Sequence, residues 1–474
     1  METSIDCPSK SPIRNPIPDS TSTEEPKTPL PKTKLQPTTA IQLDPQKLLD
    51  PALSIVELNR RYAVVSLGGK AQVAVDHDNG VQFMTFQDFE RFYSNILVTV
   101  EKRQVQLGKY WLSHPSRRQY LDGVIFDPSL SADTGRYNLW SGYAVAPDPS
   151  MSCDQFLHHL LTVICDGSRE YYEYFLNWLA LLAQHPGSLP LVAIVLLSDQ
   201  GTGKGLLMEY LGKIFGRHYK HITNRSHLTG AFSGHLQDAV LVFADELSWD
   251  GNKADAGIMK GLITEPTRMM EKKFADAVSV KNCTHLITAS NEKWAVPAEM
   301  SDRRYFVLDV SSSKQGDNEY FSTLVAEMNG GGPSRLLAFL LQRDISNFKA
   351  SKFPITQARI NQQLQSLEPV EQWLVEQLGL GYINCASGTD WPERLDKQPV
   401  YGAFCSWFSQ RRLKSAMPSL GTFSSTLGRY GISTCRMSTE NRPYGYRFPP
   451  LEAVRGQFED ILGGKVDMEN NDAA

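Results

Sequence analysis

The spacing of apolar residues changes character along the chain, and each change marks a boundary. Residues 1–45 show no periodicity and hold nine of the 27 prolines, with many Ser, Thr and Lys and almost no aromatics. Such a segment cannot bury enough apolar surface to offset its ordering entropy, so a disordered arm is expected. Over 46–150, short alternating runs (Tyr62–Leu67, Ala71–Val75, Val81–Met84) are separated by Gly68-Gly69 and by Asp78-Asn79-Gly80. Alternation broken by such turns predicts hairpin strands. With a helix from Thr85 to about Ile96 they make a small α+β domain. Over 151–190 the period lengthens to that of a helix, with one stripe at Phe156, Leu160, Val163 and Ile164 and another at Tyr174, Leu176, Trp178 and Leu181.

From 191 to 345, apolar β runs alternate with helical stretches, which predicts an α/β fold built on a parallel three-layer sheet. The run Leu191–Leu197 is followed at once by Ser198, Asp199, Gln200, Gly201, Thr202, Gly203, Lys204 and Gly205. Apolar residues then fall at Leu206, Leu207, Tyr210, Leu211, Ile214 and Phe215, the rows of a buried helix face. Strand, glycine turn ending in Lys, then helix is how a chain nests the phosphates of a nucleotide. Residues 198–206 are therefore the expected ATP-binding loop, with Lys204 neutralising phosphate charge. The usual G-x-x-x-x-G-K-[ST] pattern is broken at both ends. Ser198 replaces the first Gly, and Gly205 replaces the hydroxyl that helps hold Mg²⁺.

Two further apolar runs end in chemistry. Ala239–Ala244 ends in Asp245-Glu246. Two carboxylates at the ligand edge of a sheet suit Mg²⁺ binding by Asp245 and activation of water by Glu246. Thr284–Ser290 ends in Asn291, an amide able to sense the γ-phosphate or hold the lytic water. Asp302-Arg303-Arg304 precedes another strand. One of the two arginines, with Arg304 slightly favoured, is a candidate finger for a neighbour's nucleotide, which implies a ring; a pair of surface arginines or a salt bridge with Asp302 is the competing reading. Arg268–Lys281 reads as two β-prone arms around a tip. Lys272, Lys273, Phe274 and Lys281 suit contact with single-stranded backbone and base, though a solvated hairpin accounts for them equally well.

Composition adds a few boundaries. The longest apolar run is seven residues, too short to span a bilayer. Seven scattered cysteines without a C-x-x-C pair argue against a disulfide framework or zinc ribbon. No membrane and a cytoplasmic location, that of a bacterial host, are expected. Net charge is −4, yet Tyr401–Pro450 carries seven Arg and Lys against one acid, Glu440. Segregated positive charge is the footprint of a phosphate-backbone partner. The block follows a helical linker at 346–397. It spans a domain at 398–450 in which Arg411 and Arg412 follow one helix, and Arg436 and Arg442 sit on later strands. Residues 451–474 carry six acids against two bases and read as a helix fading into an acidic tail.

The order of phosphate loop, Asp-Glu strand end, Lys-bearing hairpin, Asn strand end and Asp-Arg-Arg resembles superfamily 3 helicases of the AAA+ class. Trp111-Leu112-Ser113-His114-Pro115, Phe126-Asp127-Pro128, Asn138-Leu139-Trp140, Asn177-Trp178-Leu179-Ala180, Gln184-His185-Pro186, Leu262-Ile263-Thr264-Glu265-Pro266 and Asp302-Arg303-Arg304-Tyr305-Phe306 sharpen it. They look like the helicase portion of phage and prophage primase-helicases, over about 100 to 370 and more loosely to 450. The resemblance implies an AAA+ core, a C-terminal winged-helix-like domain, a hexameric ring, ATP and Mg²⁺ as cofactors, and 3′ to 5′ movement on single-stranded or forked DNA. In that group the loop often reads Gly-Thr-Gly-Lys-Gly followed by Thr; here Leu206 follows. Residues 46–150 carry neither paired carboxylates nor Cys/His spacing for a primase, so a separate primase or initiator is a candidate partner. His158-His159, in an apolar helix, reads as packed or solvated rather than metal-binding. The expected function is an ATP-dependent DNA helicase in replication of a phage, prophage or mobile element. The alternative is a non-unwinding ATP-binding initiator or DNA-binding regulator.

Overall fold

The structure, a computed structural model, describes residues 42–129, 135–230, 233–246, 253–272, 275–292, 295–296, 302–385, 390–411, 413, 415–437, 443–466 and 468. All of them lie in one contact unit, Leu35–Ala474. The expected arm falls almost wholly outside the described residues.

At the centre is a five-stranded parallel sheet of β1 (Ala193–Leu197), β2 (Tyr219–Ile222), β3 (Leu241–Ala244), β4 (His285–Ser290) and β5 (Tyr305–Asp309), in the order β2-β3-β4-β1-β5. Both faces are covered, which is why these strands read as unbroken apolar runs rather than alternating ones. Ile194 and Leu196 of β1 pack with Phe243, Ile287 and Phe306 against helix α1 (Lys204–Phe215) through Leu207, Leu211 and Ile214. Ala193 and Val195 face the other way, with Val242, Leu286 and Val307, toward Met259 and Leu262 of helix Lys253–Thr264. Alternate residues of one strand thus enter two different cores, as the pleat requires.

The register brings the strand ends into line. Leu197 lies opposite Ser290, and Thr288 opposite Ala244. The segments leaving β1, β3 and β4 therefore emerge side by side at one edge. At the opposite edge, Ala193 N–H donates to Arg304 C=O at 2.8 Å where β5 begins.

N-terminal to this core, Gly80–Met84, Lys70–His77, Tyr62–Leu67 and Gln119–Tyr120 form a sheet in that order. Its core is aromatic: Tyr62 meets Phe89 and Trp111 edge to face, and Phe89 packs tilted against Trp111. The helix expected from Thr85 stops at Phe92, and Leu97–Val100 pairs with Arg103–Gln106 instead. This region is pinned to the central one by a part-buried ion pair of Arg217 with Asp76.

The C-terminal boundaries differ from expectation. Helix Pro369–Leu380, placed in a linker by its position, buries Trp373 against Phe404 and Phe423 and so belongs to the C-terminal core. Strand Arg394–Asp396, helices Lys397–Gln410 and Leu420–Arg429, and strands Ser433–Arg436 and Tyr444–Arg447 follow, the three strands pairing antiparallel with the last in the middle. The helix expected to open the acidic segment runs over Leu451–Leu462, and it buries Val454, Phe458 and Leu462 in the same core. Its acids occupy the outer face of an amphipathic helix, which composition alone reads as a tail. No helix among the described residues is long and apolar enough to cross a membrane.

Candidate functional site

The aligned exits of β1, β3 and β4 frame a cleft of about 370 Å³ lined by Gln200–Leu206, Asp245, Glu246, Asn291 and Phe321. Nearly every residue of the expected loop, and every strand-end residue except the arginines, meets here.

The loop owes its shape to glycine. Gly201 and Gly203 take φ of +80° and +96°, values a side chain resists. Gly203 is the residue before α1, so the helix opens with its free N–H groups directed into the cleft. Ser198, where the usual pattern has Gly, braces the turn. Its Oγ lies 2.7 Å from Thr202 Oγ1 and accepts from Lys204 Nζ at 2.5 Å. Lys204 Nζ also donates to Ser198 C=O at 2.8 Å, Asp199 C=O at 3.2 Å and Asn291 Oδ1 at 3.1 Å. The ammonium is thus held over the loop by acceptors from two strand ends. Burial lowers its pKa, and the Asp245 and Asp199 carboxylates oppose that shift.

Asp245 follows β3, and its N–H donates to Ile222 C=O at 2.8 Å. Its Oδ2 lies 3.5 Å from His221 Nε2, and the His221 ring stacks on Phe243 at 5.0 Å. Glu246 has φ +56°, a left-handed backbone that a non-glycine residue adopts at a cost of about 1–3 kcal/mol. Its N–H donates to Asp245 Oδ1 at 3.1 Å, and its exposed carboxylate borders the cleft. Such strain at a strand end turns consecutive carboxylates toward one space.

The arginines lie elsewhere. They precede β5, whose start pairs with the start of β1, so a whole strand separates them from the loop in the same chain. Arg304, the favoured of the two, is engaged: its N–H donates to Asp302 Oδ1 at 2.9 Å and its guanidinium reaches the same oxygen at 3.4 Å. Arg303 is exposed. Arg304, slightly favoured from the sequence, is thus paired with buried Asp302, whereas Arg303 is open to solvent.

The remaining assignments fare unevenly. The hairpin exists as Thr267–Lys272 paired with Ala275–Lys281. Its tip residues Lys273 and Phe274 lie outside the described residues, and of Lys272 only the backbone is described. Lys281 is at the base, donating to Asp127 Oδ1 at 2.8 Å and to Ser129 Oγ at 3.2 Å, and so ties the hairpin to the N-terminal region rather than meeting a ligand. Arg411 is likewise engaged, ion-paired with Glu376 and set over Trp407. Arg436 lies 3.6 Å over the ring of exposed Tyr444. Arg412 and Arg442 fall outside the described residues. Sequence reasoning missed Phe321 in the cleft and His159 beneath it. Both arrive through tertiary packing and leave no local signal.

Residues 196–304, from β1 to the approach to β5, match the model of a family of unknown function, DUF5906. The DNA primase-polymerase of Nitratiruptor phage NrS-1 is 30% identical over 178 residues, 37% of this chain and 24% of that protein. The chain thus spans about a quarter of the curated relative it matches. Apo structures of the NrS-1 C-terminal region superpose with TM-scores of 0.62 and 0.61 at 18% and 17% identity, each covering 83% of this chain and 97% of the other. The chain is therefore homologous to part of a phage primase-polymerase and shares the fold of its C-terminal region.

Proposed function

We propose that this chain is an ATP-dependent DNA helicase of the AAA+ class, acting as a ring in phage or mobile-element replication. The observation that carries the reading is the convergence of Lys204, Asn291, Asp245 and Glu246 on one glycine-walled cleft, with a free arginine at the far edge of the same sheet. The residues present suit a nucleoside triphosphate. Gly201 and Gly203 leave the backbone open to phosphate, and the half-buried ammonium has a place for anionic oxygens among its acceptors. The Asp245 and Glu246 carboxylates stand where a divalent cation would balance that charge.

Bound ATP and Mg²⁺ would supply the scissile phosphoanhydride and the charge that neutralises its oxygens. The chain does the rest. Lys204 and the α1 amides bind phosphate, and Asp245 anchors the cation. Glu246 orients and deprotonates water. Asn291, hydrogen-bonded to Lys204, registers whether the ammonium is engaged. Arg303 serves the neighbouring subunit. The paired strands 267–281, rooted through Lys281 at Asp127, are placed to convert cleft changes into movement of the tip along DNA.

The C-terminal order of helix, strand, two helices and two strands suits a winged helix, with Tyr444 and Arg436 on the wing. Its contribution to DNA is smaller than the raw charge suggests, since Arg411 and Arg429 are paired with Glu376 and Glu371. The test is ATP turnover with and without single-stranded DNA, followed by unwinding of a forked duplex. Stimulated turnover with unwinding is expected; turnover without strand separation on either fork polarity leaves the non-unwinding initiator as the better reading.

A further inference from the structure

The cleft has a floor with no role so far. His159 closes helix Asp154–His159 and leads into one wide π-helical turn, Leu160–Ile164. Such turns are rare inside helices and concentrate at functional positions. The His159 side chain is fully buried, and its Nδ1 lies 3.0 Å from Tyr320 Oη. Tyr320 and its neighbour Phe321 stand near the start of helix Asn318–Asn329, and Phe321 lines the cleft.

On its other side the imidazole abuts the phosphate loop. A Cβ built on Gly203 would lie 2.6 Å from His159 Cε1, 2.9 Å from its Nε2 and 2.8 Å from Phe321 Cε1. The loop backbone therefore rests on these two rings at the residue before Lys204, and no residue but glycine fits. His159 Nε2 is buried with no aligned hydrogen-bond partner. A buried polar atom left so costs about 1–3 kcal/mol and calls for a reason. Burial pushes the imidazole down to about 4, against a weak opposing contact with the Gly203 backbone, so the ring is neutral near pH 7 and carries one N–H.

We propose that His159 is a positioning residue of the nucleotide site, propping the Gly203–Lys204 backbone in its phosphate-facing conformation and tying it through Tyr320 to the helix that carries Phe321. It rests on the nucleotide reading above. A neutral ring supports the loop without adding charge beside Lys204, and its Nε2 faces the Gly203 backbone. Because Gly203 touches both rings, a change in loop geometry is felt at Phe321, on the cleft wall.

The test is the affinity of the full chain for a fluorescent Mg²⁺–ATP analogue, with thermal unfolding in parallel. His159→Phe keeps the volume and removes both nitrogens; it is expected to unfold as cooperatively as wild type but to bind about tenfold more weakly. His159→Gln, which offers an amide near the Nε2 position, recovers most of that loss. Tyr320→Phe weakens binding about threefold alone and adds nothing on top of His159→Phe. Wild-type affinity in His159→Phe, or full additivity with Tyr320→Phe, overturns the proposal. Should His159→Phe not fold, Tyr320→Phe and His159→Gln decide: unchanged affinity in the former, or a deficit in the latter matched by an equal loss of stability, overturns it. A wild-type chain that fails to bind the analogue removes the nucleotide reading itself, whereas wild-type binding with unaffected variants removes only the role of His159.

Discussion

The two edges of the central sheet are built to opposite specifications. At the edge where β1, β3 and β4 end, Lys204 is only 8% exposed and is held by four acceptors from two strand ends. At the edge where β5 begins, Arg303 is open to solvent and its neighbour Arg304 is tied to Asp302. A strand of five residues, roughly 16 Å of extended chain, separates them. A cation so far from its own cleft cannot stabilise charge there. The same cation projecting from a sheet edge can reach the cleft of an adjacent copy. On the proposed reading, the difference between the edges is that of one site divided between two subunits.

The largest effect belongs to the closed edge. Lys204→Ala removes the only ammonium lining the cleft among the described residues, and ATP turnover should fall on the order of 1000-fold, with nucleotide binding lost alongside. Equilibrium binding and steady-state turnover read both, and retained hydrolysis would mean that chemistry occurs elsewhere. Arg303→Ala should lower turnover by about 1000-fold while leaving nucleotide affinity within a few-fold, the pattern of a group that acts on the transition state alone. Mixing the two inactive variants sharpens the contrast. A subunit with intact Lys204 beside one with intact Arg303 rebuilds a complete site, so activity should return in mixed rings. Failure to complement in assembled rings would place the arginine in the wrong role.

Arg304→Ala separates the paired arginine from the free one. Asp302 is buried, and losing the guanidinium at 3.4 Å leaves its carboxylate with the Arg304 N–H as its remaining near donor. Burial already raises the Asp302 pKa against the Arg304 and Lys260 charges, and removing the guanidinium raises it further. The expected loss is about 1–2 kcal/mol of stability, read by denaturant unfolding, with turnover of the surviving protein close to wild type. A turnover loss matching Arg303→Ala would transfer the finger to Arg304.

The closed edge was far more legible in the sequence than the open one. Parallel strands buried on both faces appear as unbroken apolar runs, so Leu197, Ala244 and Ser290 announce the residues that follow them. Strand order is not written that way. Asn291 reaches Lys204 because β4 lies between β1 and β3, a pairing across almost ninety residues that no local period encodes. The sequence offers a salt bridge of an arginine with Asp302 as one reading, but which arginine makes it turns on the burial of Asp302, which no local period encodes. Helix Pro369–Leu380 and helix Leu451–Leu462 show the same limit. Each has an evident apolar face, but which core receives it depends on partners far away in the chain. His158-His159 reads from the sequence as packed or solvated; the structure buries His159, and what it packs beneath could not be read from its own helix.

The smallest expected effect concerns the hydroxyl missing from the closed edge. Gly205 lies in the first turn of α1, lines the cleft, and a Cβ built there meets nothing within 4 Å. Its φ is not in the left-handed region, so no backbone demand excludes a side chain. Ser198 and Thr202 do not compensate, because their hydroxyls bond each other and the loop. Leu206, next along, lines the cleft with an apolar side chain. A cation beside Asp245 and Glu246 would therefore lack the loop oxygen donor that the usual pattern supplies. Gly205→Ser restores that donor without a steric conflict and exchanges a poor helix former for a better one. The Mg²⁺ concentration that half-saturates ATP-analogue binding should fall about three- to tenfold, equivalent to roughly 1 kcal/mol. An unchanged midpoint would show that the two carboxylates and solvent already complete the cation's shell. A raised midpoint would mean that the open space at position 205 is occupied by the nucleotide, and that glycine stands there because the phosphates approach the helix too closely for any side chain.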